Sequence, residues 1–182
     1  MVNYSAGTRK GLTAKVQILN MDGSVAWEKE ATVDSNEDTT NKCIKLAFPA
    51  NLSKVHFIKM VLTENGKVVS DNFYHRSLEE NNYQDLRQLA KVALQSTTTV
   101  DKHADGTWSA VSVIENKTST PALMIRLNVV GSKDGQQLLP VFYSDNYFSL
   151  LPGEKKEVRM SWKDEDTRGN EGKVLITGYN VE

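Results

Sequence analysis

Apolar and polar residues alternate with a period of two through almost the whole chain, and this restricts the backbone to β-structure, because only a pleated strand sends residues i and i+2 to one face. In "LTAKVQIL", Leu12, Ala14, Val16 and Ile18 share one face while Thr13, Lys15 and Gln17 share the other, as a half-buried antiparallel strand requires. The turn "NMDG" follows. Val25, Trp27, Ala31 and Val33 are then in phase, as are Ile44, Leu46 and Phe48 of "CIKLAF". "VHFIKMVL" is apolar on both faces and reads as a central strand. Asn65-Gly66 links it to "KVVSDNFY", and such a pair between apolar runs predicts a tight hairpin whose two central residues have positive φ.

The period changes once. "SLEENNYQDLRQLAK" places Tyr83, Leu86 and Leu89 at helical spacing behind Asn81 or Asn82 as caps, giving one or two helical turns that connect two domains. Strands resume at Val92: "VALQSTTTV", "WSAVSVIEN", "ALMIRLNVV", "QQLLPVFY", "NYFSL", "KKEVRMSW" and "KVLITGYNV", separated by turns such as "HADG", "SKDG" and "LPGE". Seven short strands with these turns predict an immunoglobulin-like sandwich. Val158, Met160 and Trp162 mark the core face of one of them. The length of 182 residues suits two domains of roughly 90 residues each. The expected fold is therefore all-β, with two immunoglobulin-like β-sandwiches in tandem: residues 1–90, including the connector and with the opening strand truncated, and residues 91–182.

Charge and residue type remove several functions. The formal net charge is −1, with Lys and Arg spread along the chain, so no basic patch marks a nucleic-acid or anionic-membrane partner. No apolar run is long enough to span a bilayer, and "MVNYSAGTRK" has no signal-peptide core, which leaves a cytosolic chain or a piece of something larger. Cys43 is the single cysteine, which excludes an internal disulfide and a cysteine-based zinc cluster. His56, His75 and His103 are too scattered for a metal site. In "DEDTRGNEG", Asp164, Asp166 and Gly169 fall at positions 1, 3 and 6 of a calcium loop, but Arg168 and Leu175 occupy positions that need oxygen donors, so a solvated hairpin tip is expected. "GNEGKV" lacks the spacer and the hydroxyl of a phosphate loop. Glu79-Glu80 are adjacent in the connector and cannot face each other across a sugar. No catalytic, metal or cofactor-binding residue is assigned.

Aromatic residues supply the remaining ligand hypothesis. Trp27 and Trp162 are in phase with apolar faces and are assigned to cores, leaving Trp108 and the cluster Tyr143, Asp145, Asn146, Tyr147 and Phe148 as a candidate surface for domain packing or sugar contact. The cluster lies in "SDNYFSLLPGE", which follows a shorter relative, "SDNFY", at residues 70–74. Both are expected to lie at strand ends, where Asp and Asn bond neighbouring backbone.

The longer stretches "LLPVFYSDNYFSLLPGEKKEVRMSW" and "NGKVVSDNFYHRS…NYQDLRQLAKVAL" resemble the C-terminal region of glycoside hydrolase family 2 enzymes of the exo-β-glucosaminidase and β-mannosidase type. The resemblance covers essentially the whole chain. It implies an accessory, non-catalytic position after a catalytic (β/α)8 barrel, with the barrel and other domains of the same parent as partners and the catalytic glutamates elsewhere. The parent is expected to be secreted or periplasmic in a bacterium. An autonomous carbohydrate-binding module is the alternative, and a free-standing scaffolding protein a third.

Overall fold

The computed structural model describes Met1–Glu182. Every sheet is antiparallel, and helix is confined to two 3₁₀ turns, Gln84–Gln88 and Asp164–Thr167. The backbone forms two compact units, Met1–Gln88 and Leu89–Glu182.

In the first unit, β1 (Val2–Asn3) pairs with β4 (Thr39–Thr40), and a four-stranded sheet runs in the order β3 (Val25–Ser35), β2 (Arg9–Asn20), β5 (Val55–Glu64), β6 (Lys67–Ser77). The two-faced apolar run is thus an inner strand, with Val55, His56, Phe57 and Ile58 all buried. Asn65 and Gly66 have φ of 51° and 77°, the geometry the β5–β6 hairpin needs. On one sheet face Val16, Ile18 and Ile58 cluster with Leu52, and Trp27 packs half-buried at their edge. A bulge where β2 passes from Ile18 to Leu19 shifts the β3 register, so Val25, expected in phase with Trp27, is exposed while Ala26 packs inward.

"CIKLAF" keeps its phase at Ile44 and Leu46, while Phe48 is 48 % exposed, and it is not a ladder strand. Residues 41–49 form an extended strap over the sheet, with Ile44 and Leu46 against the cluster and Lys45 and Ala47 outward. Alternation encodes which face a segment buries; it does not supply a partner strand, and β5 already has β2 and β6 on its two edges.

The second unit is a sandwich of two sheets. One has the order β10 (Phe142–Tyr143), β12 (Lys155–Lys163), β8 (Thr107–Glu115), β7 (Gln95–Lys102); the other has β11 (Phe148–Leu150), β9 (Ala122–Gly131), β13 (Gly172–Thr177). Val158, Met160 and Trp162 of β12 meet Ile125, Leu127 and Val129 of β9 in one core. Asn180, 2 % exposed, ties this unit's two ends together. Its Nδ2 donates to the carbonyls of Ala90 (3.0 Å) and Pro121 (2.9 Å), and its Oδ1 accepts from the Leu123 N–H (2.9 Å). Val92 bridges Val181 in parallel alongside it.

Candidate functional site

The Ser-Asp-Asn-Tyr turn is where the chain leaves one sheet for the other. Tyr143 still pairs with Met160 of β12, whereas Phe148 pairs with Ile125 of β9. Ser144 closes the first ladder: its N–H donates to the Arg159 carbonyl (2.8 Å), and its Oγ accepts from the Arg159 N–H (2.9 Å). Asn146 opens the second, with Oδ1 accepting from the Leu127 N–H (2.9 Å) and Nδ2 donating to the Leu127 carbonyl (3.0 Å). A side-chain amide thus stands in for a backbone one across the gap between sheets. Asp145 accepts the Asn146 N–H (2.7 Å) and ion-pairs with Lys156. Tyr147 turns the chain at φ 58°.

The structure does not gather the six candidate residues into one exposed surface. Phe148 is buried in the core, with the Lys156 ammonium 5.1 Å from its ring centroid. Tyr143 packs against the core, where its hydroxyl accepts from the Val129 N–H (3.2 Å), and burial pushes its phenol pKa up. Trp108 lies flat on Trp162, rings 6.3 Å apart and 5° from parallel. Its indole N–H donates to Asp164 Oδ1 (2.7 Å). Lys102 pairs with the same carboxylate at 2.9 Å, and these two donors, Lys102 first, hold Asp164 below the ordinary carboxylate pKa. Tyr147 is the one ring of the set turned outward, 58 % exposed, with the Arg126 guanidinium 5.9 Å from its centroid.

The shorter copy at 70–74 does a different job. It lies inside β6, from Ser70 opposite Leu62 to Tyr74 opposite Ile58, rather than at a strand end. Similar letters therefore mark an ordinary ladder in one unit and a change of sheet in the other.

Elsewhere, no group of three His, Cys, Asp or Glu side chains is arranged to hold a metal ion. Asp164–Thr167 form a 3₁₀ turn followed by Arg168 in the left-handed region. A cleft of about 310 Å³ in the first unit, bordered by Asn3, Tyr4, Leu12 and Ser70, also contains Arg9 and Glu64, which pair with each other at 3.4 Å.

Because the Asn146 amide bonds both backbone groups of Leu127 and also accepts from the Tyr147 N–H (3.0 Å), Asn146→Ala is expected to destabilise the second unit by about 1–3 kcal/mol, the usual cost of leaving partly buried backbone groups unpaired. Urea unfolding followed by tryptophan fluorescence measures it; an unchanged midpoint would mean that water replaces the amide without loss.

Comparison with known proteins finds two family models, which meet within β6 rather than at the boundary between the two units. The family model described as the exo-β-D-glucosaminidase Ig-fold domain matches residues 72–181, and that of the mannosidase Ig/CBM-like domain matches residues 5–77. The exo-β-D-glucosaminidases of Streptomyces avermitilis and Hypocrea jecorina are each 30% identical to this chain over its whole length, which spans 23% and 22% of theirs. The crystal structure of Amycolatopsis orientalis exo-chitosanase CsxA superposes on 99% of the chain with a TM-score of 0.90 at 27% identity, using 24% of its own length. The β-D-mannosidase of Dictyoglomus thermophilum shares the fold, with a TM-score of 0.57 at 15% identity.

Proposed function

Since the chain belongs to the immunoglobulin-like domains of the exo-β-D-glucosaminidases, we propose that it is an accessory β-sandwich region of a multidomain, exo-acting glycoside hydrolase of family 2, supporting a catalytic (β/α)8 barrel by domain packing. The observation that carries this reading is the match in full: the whole chain aligns, on about a quarter of a much longer relative. The local chemistry agrees. Asn146 is committed to backbone, Asp145 to Lys156 and Asp164 to Lys102 and Trp108, whereas a retaining glycosidase needs two carboxyl groups about 5 Å apart across the scissile bond.

Two measurements test it. The isolated chain is expected to release no p-nitrophenol from the β-D-glucosaminide or the β-D-mannoside, and turnover that survives repurification would overturn the reading. In the parent enzyme, removing residues 1–182 is expected to lower both the thermal midpoint and kcat. A parent that keeps both unchanged would show that the sandwiches do not support the barrel.

A carbohydrate-binding role has one observation in its favour, the outward ring of Tyr147. Sugar stacking draws its strength from broad exposed aromatic faces, and here Trp108, Tyr143 and Phe148 are spent on the core. Titration with chito- and manno-oligosaccharides is expected to show binding no tighter than millimolar. Micromolar binding lost in Tyr147→Ala would establish the binding module instead.

A further inference from the structure

His56 is a buried titratable group that the proposed function does not use. It is 2 % exposed, and neither ring nitrogen has a hydrogen-bond partner. Buried imidazoles normally have at least one, so the site stores an unmet demand for polar contact. Above the ring lies the strap, residues 41–49, whose Phe48 meets it edge-on at 5.9 Å. The strap belongs to no sheet; Asn41 anchors its start to Met1, Ser35 and Thr39, and beyond that point it is held by the half-buried Ile44 and Leu46 rather than by a ladder, so residues 42–49 can lift without breaking strand pairing.

We propose that His56 is a proton-operated latch: neutral, it seats the strap 41–49 on the sheet, and charged, it releases the strap and uncovers the apolar face formed by Val16, Ile18 and Ile58.

Among the side chains, the charge nearest the ring favours release, whereas the backbone of Lys54 and Ser53 favours the charged ring and is outweighed by burial. Arg76 of β6 is its direct neighbour across the ladder, and Asn20 is its neighbour on β2. The strap contributes Lys42 and Lys45 and no acid; the nearest charge of β2, Lys15, lies opposite Val61 and pairs with Glu28 at 3.0 Å. The acid of β6, Asp71, lies opposite Val61, five positions further along β5. Lys54, two residues before His56, already pairs with Glu79 at 2.9 Å. An imidazolium formed here therefore meets the Arg76 cation and no carboxylate, and lifting the strap admits water to both ring nitrogens.

Burial outweighs the backbone of Lys54 and Ser53, which acts the other way, and with a smaller contribution from Arg76 lowers the pKa of His56 below its ordinary value. The open form binds the proton that the closed form resists, so closure is fully favoured above the ordinary histidine pKa of about 6.5 and is lost as pH falls below it, by up to about tenfold per pH unit. His75 is also lowered by burial, but it packs with Phe57 and Phe73 on the opposite face of the sheet, so its titration weakens the unit without touching the strap.

The test is NMR of the full chain with labelled Ile and Leu methyls and labelled histidine rings, titrated from pH 7.5 to 5.5. The expected result is that Ile44 and Leu46 methyls move toward random-coil positions with the midpoint of the His56 ring, the open population rising by at most about tenfold per pH unit below pH 6.5. In His56→Phe they stay fixed, and in His75→Phe they move as in the wild type. Strap resonances that titrate equally in His56→Phe, or that stay fixed in the wild type while His56 titrates, overturn the latch. Should His56→Phe fail to fold, the wild-type titration decides alone: coincident ring and strap midpoints support the latch, and separate midpoints reject it.

Discussion

Trp162→Ala is expected to unfold the second unit at moderate temperature, with a loss of about 3–5 kcal/mol, the range for removing a large buried aromatic. The ring is 2 % exposed, stacks on Trp108, and is wedged against the backbone at Gly172, where a Cβ would lie 2.5 Å from its Cζ2. With so close a wall the vacated volume cannot be filled by a small shift, and Trp108 loses the surface on which it lies. Trp162→Phe provides the control. The indole N–H is buried without a partner, so phenylalanine removes an unmet donor while keeping most of the ring. It is expected to cost far less than alanine. Calorimetry should show the second unit's transition displaced and the first unit's unchanged; equal losses for the two variants would mean that ring volume is not what Trp162 supplies.

Asn180→Ala ranks next. The carboxamide satisfies three backbone groups, the Leu123 N–H and the Ala90 and Pro121 carbonyls, two of them in fully buried bonds. Alanine leaves all three unpaired at about 1–3 kcal/mol each, less what water recovers, for an expected total of roughly 3–4 kcal/mol. Asn180→Asp separates hydrogen bonding from volume, because aspartate keeps the acceptor but presents oxygen where two carbonyls require a donor. It should destabilise at least as much as alanine at neutral pH and less at low pH. Chemical denaturation at pH 7 and pH 4 measures both, and a neutral Asn180→Ala would mean that the clasp does not hold the unit's ends.

Much of the architecture was readable because alternation is a local code. Val158, Met160 and Trp162 lie inward on β12 while Glu157, Arg159 and Ser161 lie outward, and Asn65-Gly66 turns with the φ values its residue types favour. What could not be read depends on partners distant in sequence. Nothing near residues 41–49 states that their apolar phase will meet a face without a ladder. Asn180 bonds Ala90 across 90 positions, and no periodicity announces it. The Ser-Asp-Asn-aromatic motif was visible twice, but its function in the second copy follows from β10 and β11 belonging to different sheets. Trp108 reads from the sequence as a candidate surface residue because its type and position in "WSAVSVIEN" do not disclose that Trp162 lies directly across the ladder.

The parallel seam between Val92 and Val181 also fixes how the second unit bears a load. The Val92 N–H donates to the Asn180 carbonyl (2.7 Å) and the Glu182 N–H to the Val92 carbonyl (3.1 Å), with the Asn180 amide holding Ala90 beside them. Because the two segments run in the same direction, tension applied at Leu89 and Glu182 slides one past the other, so these bonds resist together instead of parting one at a time. A chain pulled from its flanks would meet this seam before any strand of the core feels the force.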